Sequence, residues 1–329
     1  MTGRFADVLV VIPCLNEEAH LPDLLEMLVR DAPGATIAVA DGGSTDASRA
    51  IAAAAAARHP QVRLIDNPDR LQSAGVNRAV ARLGGDKRWL VRVDAHCRYP
   101  ADYVAGLIAA AGRTGANAIV VPMRSIGIGC FQRAAAAAQN SRLGTGGSPH
   151  RHVGTGRFVD HGHHALFEMA RFQALGGYDE RFPTNEDAEL DHRQAGSGAR
   201  IWLEPSLALD YLPRATPIAL FRQYLRYGRG RAMTIRRHDM RPKLRQILPL
   251  APPLALMLAI LTPLWPPAAL PAIAWAAVSL GYGLLLGISR RDGCTMASGI
   301  AAMIMHVAWG TGFMSVYVLE RSVNNSLRS

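Results

Sequence analysis

Short apolar runs alternate with helical patterns over the first part of the chain. Apolar runs at residues 8–13, 36–40, 62–66, 89–94 and 119–122 predict five strands. Helical patterns at residues 18–30, 71–83 and 101–111, and an alanine-rich one ending at Arg58, lie between them. This alternation predicts an α/β fold with a mostly parallel sheet and helices on both faces. The alanine tracts 52–57 and 134–138 predict ordinary helix surface.

The pattern changes after residue 245. There is no charged side chain from Gln246 to Ser289, and none from Gly293 to Leu319. These lengths are typical of membrane spans and exceed those of core helices, so we expect spans at 247–265, 268–288 and 297–319. Prolines make the first span irregular, which leaves open a re-entrant hairpin formed by the first two.

The positive charge is concentrated just before these spans. The chain has a net charge of +10, and residues 214–245 hold ten basic residues and one acid. A basic amphipathic segment at this place fits anionic lipid headgroups better than nucleic acid. We therefore expect three parts: a soluble domain at 1–213, an interfacial segment at 214–245 and a membrane domain at 246–329. The basic residues place the soluble domain in the cytoplasm and residues 320–329 outside.

Four cysteines, Cys14, Cys97, Cys130 and Cys294, are widely separated and include no C-x-x-C pair. This spacing predicts a reducing compartment and no disulfide bonds.

The stretch Trp89–Pro100 carries an acid and an imidazole directly after an apolar run. Asp94 and His96 are two residues apart, so in an extended segment both side chains point to the same side. Ligands bind at the carboxyl ends of strands in open α/β sheets. An oxygen–nitrogen pair there suits Mn²⁺ or Mg²⁺ on a diphosphate. The alternative is a helix cap at Asp94 and a surface histidine.

Two other predicted strands also end in polar turns. Asp41 and Asp46 bracket a Gly-Gly turn, which is either a turn with a helix cap or a carboxylate site for a base N–H or ribose hydroxyl. Residues 67–77 either pack a helix beside a nucleotide through small residues or form a structural strand–helix junction. Neither segment matches a Walker A loop or a dinucleotide-binding glycine pattern.

Acidic and histidine clusters follow further along the chain. Glu186 and Asp187 open a predicted helix with Asn185 as its cap, where they either compensate the helix dipole or supply a general base. The histidines within 161–164 fit ordinary loop and strand positions better than a zinc site. Residues 141–156 predict a long loop, which at this length is either functional or disordered.

Five of these segments, in this order, resemble the motifs of family 2 inverting glycosyltransferases with the GT-A fold. They are residues 13–18, 41–46, 67–77, 92–96 and 185–190. The resemblance is greatest to the membrane-attached branch that builds bacterial exopolysaccharides such as succinoglycan.

The resemblance implies a role for each matching residue. The nucleotide-sugar-binding residues would be Pro13, Asn16 and Glu17 in the nucleoside pocket, Asp41 at the base, Arg70 or Gln72 near the ribose or diphosphate, and Asp94. Asp94 and His96 would hold the metal, although the family usually has a second acid in place of His96. Asp187 would be the catalytic base, with Glu186 beside it.

The implied activity is transfer of a hexose, with UDP-glucose as the expected donor, to a polyprenyl-diphosphate-linked sugar. It would need Mn²⁺ or Mg²⁺ and take place at the cytoplasmic face of a bacterial inner membrane, in a multi-pass protein that contacts membrane lipids. Tyr227 stands where processive synthases have Trp, so processivity is not supported. A processive polysaccharide synthase, a polyprenyl-phosphate glycosyltransferase and a non-catalytic nucleotide-binding assembly subunit remain as alternatives.

Overall fold

The computed structural model describes residues 3–146 and 154–326, with side chains up to residue 316. It forms two compact units, one made of Met1–Arg124 and His152–Tyr211 and the other of Ser125–Arg151 and Leu212–Ser329. The sequence analysis assigned residues 125–151 to the soluble domain, whereas the structure groups them with the C-terminal helices. Residues 147–153 of the predicted loop 141–156 lie outside the described residues, and Arg142–Thr145 form a short helix.

The strands, in chain order, are β1 (Val8–Cys14), β2 (Thr36–Asp41), β3 (Val62–Asp66), β4 (Trp89–Arg92), β5 (Cys97–Arg98), β6 (Ala118–Val121), β7 (Met123–Ser125), β8 (Arg157–Val159), β9 (His163–Glu168), β10 (Ile201–Leu203) and β11 (Leu209–Tyr211). The helices are α1 (Leu21–Asp31), α2 (Ser48–Arg58), α3 (Gln72–Leu83), α4 (Tyr103–Thr114), α5 (Cys130–Gln139), α6 (Arg142–Thr145), α7 (Met169–Ala174), α8 (Glu186–Gly196), α9 (Pro217–Arg237), α10 (Leu244–Ile247), α11 (Ala251–Ala259), α12 (Leu270–Arg290), α13 (Gly293–Met296) and α14 (Ser298–Ser326).

Eight strands form the main sheet, in the order β3-β2-β1-β4-β9-β6-β10-β8. The first four sequence-predicted strands pair in parallel, with β1 between β2 and β4. Strand β9, which the sequence analysis missed, lies antiparallel between β4 and β6 and makes the sheet mixed. A second, smaller sheet has the order β5-β11-β7. The predicted α/β class is confirmed.

Strand β1 is buried along its whole length and contributes to both faces of the sheet. Val8, Val10 and Ile12 belong to one apolar cluster, and Leu9 and Val11 belong to the other. This alternation follows from the two-residue period of a strand, and burial on both faces explains why β1 reads as a continuous apolar run.

The alanine tract of α5 was expected to be helix surface, and this expectation is wrong. All five alanines from Ala134 to Ala138 are buried. Ala135 and Ala138 belong to the same apolar cluster as Ala301 and Met305 of α14. Small side chains are needed here because they let two helix backbones approach closely.

The expectation of no disulfide bonds is also contradicted. Cys130, at the start of α5, is bonded to Cys294 in α13, 164 residues further along the chain. Arg133 and Asp292, one near each cysteine, form an ion pair at 2.5 Å. The packing of α13 against α5 brings the two cysteines together, and spacing in the sequence cannot reveal such packing. Cys14 and Cys97 are free and buried.

Two helical stretches of the described chain, Pro266–Arg290 and Gly293–Val316, are long and apolar enough to cross a bilayer. They correspond to the second and third expected spans. The first expected span, 247–265, is interrupted, because the apolar helical run Leu244–Ala259 is shorter and is followed by turns. Apolar helices at the C-terminus are consistent with membrane association.

Candidate active site

Arg92 occupies the last position of β4, and its side chain is buried among three carboxylates. Its Nη1 lies 2.9 Å from Oδ1 of Asp187 and 3.2 Å from Oε1 of Glu186. Its Nε lies 3.4 Å from Oδ1 of Asp94. The proposed base and the proposed metal ligand, almost 100 residues apart in sequence, are thus gathered around one guanidinium.

Helix α8 presents the two adjacent acids. It begins after Asn185, whose backbone has a positive φ of 65° and whose side chain makes no capping hydrogen bond. Asn185 therefore occupies the predicted N-cap position. The helix starts there because Asn185 adopts a left-handed backbone conformation, which Asn tolerates, and not because its side chain caps the helix. Glu186 and Asp187 lie in the first turn, where the helix dipole favours negative charge.

Tyr178 fixes one oxygen of Asp187. The Tyr178 hydroxyl donates to Oδ1 of Asp187 at 2.8 Å and accepts from Arg92 Nη1 at 3.2 Å. The side chain of Asn77, on α3, donates to the carbonyl of Tyr178 and accepts from its N–H, both at 2.9 Å. Oδ2 of Asp187 makes no hydrogen bond to any described residue. Oδ1 is thus anchored by two partners, whereas Oδ2 faces His163 Nδ1 at 3.9 Å.

His163, at the start of β9, lies between the two key carboxylates. Its Nε2 is 3.7 Å from Oδ2 of Asp94, and its Nδ1 is 3.9 Å from Oδ2 of Asp187. The sequence analysis did not select His163. The neighbouring histidines have another role: His161 Nδ1 lies 2.7 Å from Oδ2 of Asp191, and buried His164 contacts Oδ1 of the same residue. His161 and His164 thus share Asp191 as a partner.

The environment shifts the pKa values of the acids in opposite directions. Burial raises the pKa of Asp94, but the charges of Arg92, His163 and His96 outweigh it and lower the pKa below its usual value. Burial also raises the pKa of Glu186, and there the nearby Asp187 adds to the effect despite Arg92, so the net shift is upward. Asp94 is therefore ionised at neutral pH, while Glu186 takes up a proton more readily than an exposed glutamate.

The segment after β4 is a turn and not the expected extended stretch. The strand ends at Arg92, two residues earlier than predicted, and the N–H of Cys97 donates to the carbonyl of Asp94 at 3.2 Å. Tyr99 holds this turn because its hydroxyl accepts from the Asp94 N–H at 2.6 Å. His96 Nδ1 lies 2.9 Å from Oε1 of Glu17, so the imidazole contacts a residue expected in the nucleoside pocket.

The loops after β1 and β2 are joined by hydrogen bonds. Asn16, with a positive φ of 57°, donates its N–H to Ser44 Oγ at 3.0 Å and accepts from the Thr45 N–H at 2.8 Å. The N–H of Glu17 donates to Ser48 Oγ at 2.7 Å. These hydrogen bonds fix the conformation of the predicted nucleoside-binding loop. Asn16 contributes two of them, one through its backbone and one through its side chain.

Asp41 is buried, and both of its carboxylate oxygens have partners. Oδ1 accepts from the Ser44 N–H and Oδ2 from Arg49 Nη1, each at 3.2 Å. Burial raises the pKa of Asp41, but these hydrogen bonds outweigh it and lower the pKa. The contacts of Asp41 are therefore those of a residue that stabilises a turn, which is one of the two roles expected from the sequence.

The remaining predicted residues divide between two places. Gln72 joins the acidic cluster, because its Oε1 accepts from Arg92 Nη2 at 3.1 Å. Arg70, with a positive φ of 58°, places its guanidinium beside the Gly42–Gly43 turn, where an added Cβ on Gly43 would lie 3.7 Å from Nη2. Pro13 lies inside β1, paired in register with Ala40 of β2.

A family model, glycosyl transferase family 2, matches residues 9–175. The chain belongs to this family. The match runs from β1 to α7 and includes the β4 strand that ends at Arg92. The predicted resemblance is confirmed, and the protein is a glycosyltransferase.

Two known proteins extend this result. Succinoglycan biosynthesis protein ExoA of Rhizobium meliloti (strain 1021) is 48% identical over 310 residues, which cover 93% of each chain. The mannosyltransferase PcManGT from Pyrobaculum calidifontis, solved with GDP-Man and Mn²⁺, has a TM-score of 0.61 and 16% identity, covering 94% of this chain and 87% of that one. At this identity the second likeness is to the fold alone, and it agrees with the predicted GT-A class.

Proposed function

We propose that this glycosyltransferase moves a hexose from a nucleotide sugar, UDP-glucose being the expected donor, to a polyprenyl-diphosphate-linked sugar during exopolysaccharide synthesis. The observation that carries the proposal is the gathering of Asp94, Glu186 and Asp187 around Arg92. The pathway is suggested by the 48% identical relative, which is named for succinoglycan biosynthesis.

The reaction uses the two oxygens of Asp187 differently. Oδ1 stays hydrogen-bonded to Arg92 and Tyr178, which fixes the carboxylate. Oδ2 takes the proton of the acceptor hydroxyl while that oxygen forms a bond to C1 of the donor sugar. The bond from C1 to the diphosphate breaks on the opposite face, the nucleoside diphosphate leaves with the electron pair, and the configuration at C1 inverts.

A divalent cation fits part of this site. Oδ1 of Asp94 faces Arg92 Nε at 3.4 Å, whereas Oδ2 lies 3.7 Å from His163 Nε2, beyond hydrogen-bond distance, and carboxylate oxygens suit Mg²⁺ and Mn²⁺. The described residues contain no group of three or more His, Cys, Asp or Glu side chains able to hold a metal, so the donor diphosphate would supply further ligands. Asp94 would hold the ion, with His96 as a second candidate ligand. An Mn²⁺ or Mg²⁺ ion held there would neutralise charge on the leaving diphosphate.

The remaining predicted residues bind the donor in this proposal. Asn16 and Glu17 shape the nucleoside pocket next to Pro13, and Arg70 and Gln72 lie toward the diphosphate. Asp41 supports the pocket through the turn that it holds. The lipid part of the acceptor is reached through membrane attachment of the C-terminal helices.

The test is a donor screen followed by a turnover assay. Purified full-length protein in detergent is heated with UDP-glucose, UDP-galactose, UDP-N-acetylglucosamine or GDP-mannose, each with Mn²⁺, Mg²⁺ or EDTA. We expect one UDP-hexose to raise the melting temperature only with a metal, and to release UDP when a polyprenyl-diphosphate-linked sugar is added. Addition of one sugar per acceptor excludes the processive alternative, and stabilisation without turnover on any acceptor would favour the non-catalytic one.

A further inference from the structure

Helix α14 has the composition of a membrane span, but other helices cover it on two sides, and α12 also packs on it, where Trp275 Nε1 donates to His306 Nδ1 at 3.3 Å. On one side lie α5 and α6, where Ala135 packs in one cluster with Ala301 and Met305. His306, in the middle of α14, has its Nε2 2.8 Å from the carbonyl oxygen of Leu143. In the apolar stretch Gly293–Val316, which includes most of α14, 50% of the most apolar segment is buried, compared with 11% in Pro266–Arg290, which includes α12.

The second side of α14 is covered by the arginine-rich helix α9. The two backbones approach closely, since a Cβ added to Gly228 would lie 2.0 Å from the carbonyl oxygen of Trp309, and one added to Gly312 would lie 2.1 Å from that of Leu225. The contact between α9 and α14 continues to Val316, the last residue of α14 whose side chain is described. There Arg229 Nε donates to Ser315 Oγ and Arg236 Nη1 donates to the carbonyl oxygen of Val316, both at 3.1 Å.

These contacts argue against α14 crossing a bilayer. Ser298 follows closely on Arg290 and Arg291, which belong at the cytoplasmic surface. Val316 lies 18 residues further along the helix, a rise of about 27 Å and close to the full hydrocarbon thickness. A crossing α14 would carry Arg229 and Arg236 through the hydrocarbon or to its outer side, against both the burial penalty for arginine and the positive-inside rule.

The hairpin of α11 and α12 has the opposite character. Its large apolar side chains face outward, most of all near the turn, where Ile260 is 75% exposed and Leu264 is 87% exposed. No charged residue occurs from Gln246 to Ser289. Basic residues flank the hairpin at both ends, with Arg245 before it and Arg290 after it. A surface of this kind, with positive charge at both ends, fits a bilayer with anionic headgroups on one side.

We propose that, among the described residues, the hairpin of residues 248–289 is the part that enters the membrane, and that α14, the core helix of its unit, packs on this hairpin without crossing the bilayer. The partner of the exposed hairpin is the phospholipid bilayer. The inference rests on the proposed membrane attachment, and it differs from the three-span expectation in placing the C-terminus in the cytoplasm.

The first experiment locates the C-terminus. The full chain is fused at its end to green fluorescent protein, which fluoresces only when folded in the cytoplasm, or to alkaline phosphatase, which is active only outside. We expect bright fluorescence and inactive phosphatase in a bacterial host. Active phosphatase together with dark fluorescent protein, on a chain found in the membrane fraction, would overturn the inference and leave the proposed enzyme activity untouched.

The second experiment compares charges placed on the two elements. Leu264→Asp puts a carboxylate on the exposed hairpin turn, and Thr311→Asp puts the same group on an exposed position of α14. After a high-salt wash, we expect severalfold less Leu264→Asp than wild type in the membrane fraction and wild-type retention of Thr311→Asp. The melting temperature of each variant in detergent verifies folding. Loss of retention in Thr311→Asp alone would contradict the inference, whereas a wild-type chain in the soluble fraction would contradict membrane attachment itself.

Discussion

Arg92 Nη1 lies 2.9 Å from Oδ1 of Asp187, and this ion pair determines how the candidate base is held. The same oxygen accepts a hydrogen bond from the hydroxyl of Tyr178, so two partners oppose rotation of the carboxylate. Positioning of this kind matters because a general base must lie within hydrogen-bond reach of the proton that it removes. We therefore propose that Arg92 acts on the reaction through Asp187.

Asp187→Asn should remove the base while keeping an oxygen for Arg92. We expect kcat to fall by about 10²–10⁴-fold, the usual contribution of general base catalysis, while the donor still binds. UDP release gives kcat, and calorimetry gives donor affinity. The matched control is Asp179→Asn, since Asp179 lies in the same region but pairs with exposed Arg181. Unchanged turnover in Asp187→Asn would remove this residue from the mechanism.

Arg92→Met should destabilise the first unit, because three carboxylates, two of them buried, lose their shared cation. Breaking a buried ion pair from one side typically costs about 3–5 kcal/mol. The measurement is the free energy of unfolding, from urea titration in detergent. Arg78→Met is the control, since the Arg78–Asp69 pair is partly exposed and should contribute less than about 1 kcal/mol. Equal losses in the two variants would show that the cluster does not need Arg92.

Local patterns in the sequence were sufficient for the first half of the fold. Strands β1 to β4 and their helices follow directly from alternating periodicity, and β1 reads as buried because both of its faces are covered. Strand β9 was missed because its pairing partners, β4 and β6, are distant in sequence. The burial of Ala135 and the Cys130–Cys294 bond depend likewise on helices that meet only in three dimensions.

The sequence predicted which acidic residues belong to the candidate site, but it did not predict how they are arranged in space. Asp94 and Asp187 were chosen from their motifs, and the structure brings them together. Their common partner Arg92 was visible in the same motif, yet a buried arginine at a strand end has no local signal of its role. His163 was hidden among three histidines, and only the alternation of side chains in β9 separates it from His164.

His163→Ala should weaken catalysis without unfolding the chain. His163 lies within 4 Å of both Asp94 and Asp187, so its imidazole faces the two carboxylates across one space. We expect kcat/KM to fall about tenfold, which corresponds to roughly 1.4 kcal/mol. Steady-state kinetics measures this, with the melting temperature as a check on folding. In the control, His161→Ala, stability should change more than kcat, because His161 pairs with Asp191. Wild-type kinetics in His163→Ala would exclude a role in the reaction.

The pairing of Asp191 with His164 makes part of the stability depend on pH. Burial raises the pKa of Asp191, but His164 and His161 outweigh it and lower the pKa from 3.8 to about 2. Burial lowers the pKa of His164, and the Asp191 carboxylate outweighs that effect and raises the pKa above 6.5. A lowered acid pKa gives stability that is lost as the pH falls below 3.8 toward 2. A raised histidine pKa gives stability that is complete below 6.5 and is lost as the pH rises through the folded-state pKa.

Asp191→Asn should therefore lower the melting temperature more at pH 6 than at pH 9. At pH 6 the wild type keeps the charged pair, so the substitution removes the whole ion-pair stabilisation. At pH 9 a larger fraction of His164 is neutral, so the substitution removes less stabilisation. Thermal unfolding of both proteins in detergent, from pH 6 to 9, gives the difference at each pH. Asp179→Asn is the control, because Asp179 pairs with an arginine that stays charged over this range, so its effect should be constant. A difference for Asp191→Asn that is equally constant would mean that His164 does not change its charge between these pH values.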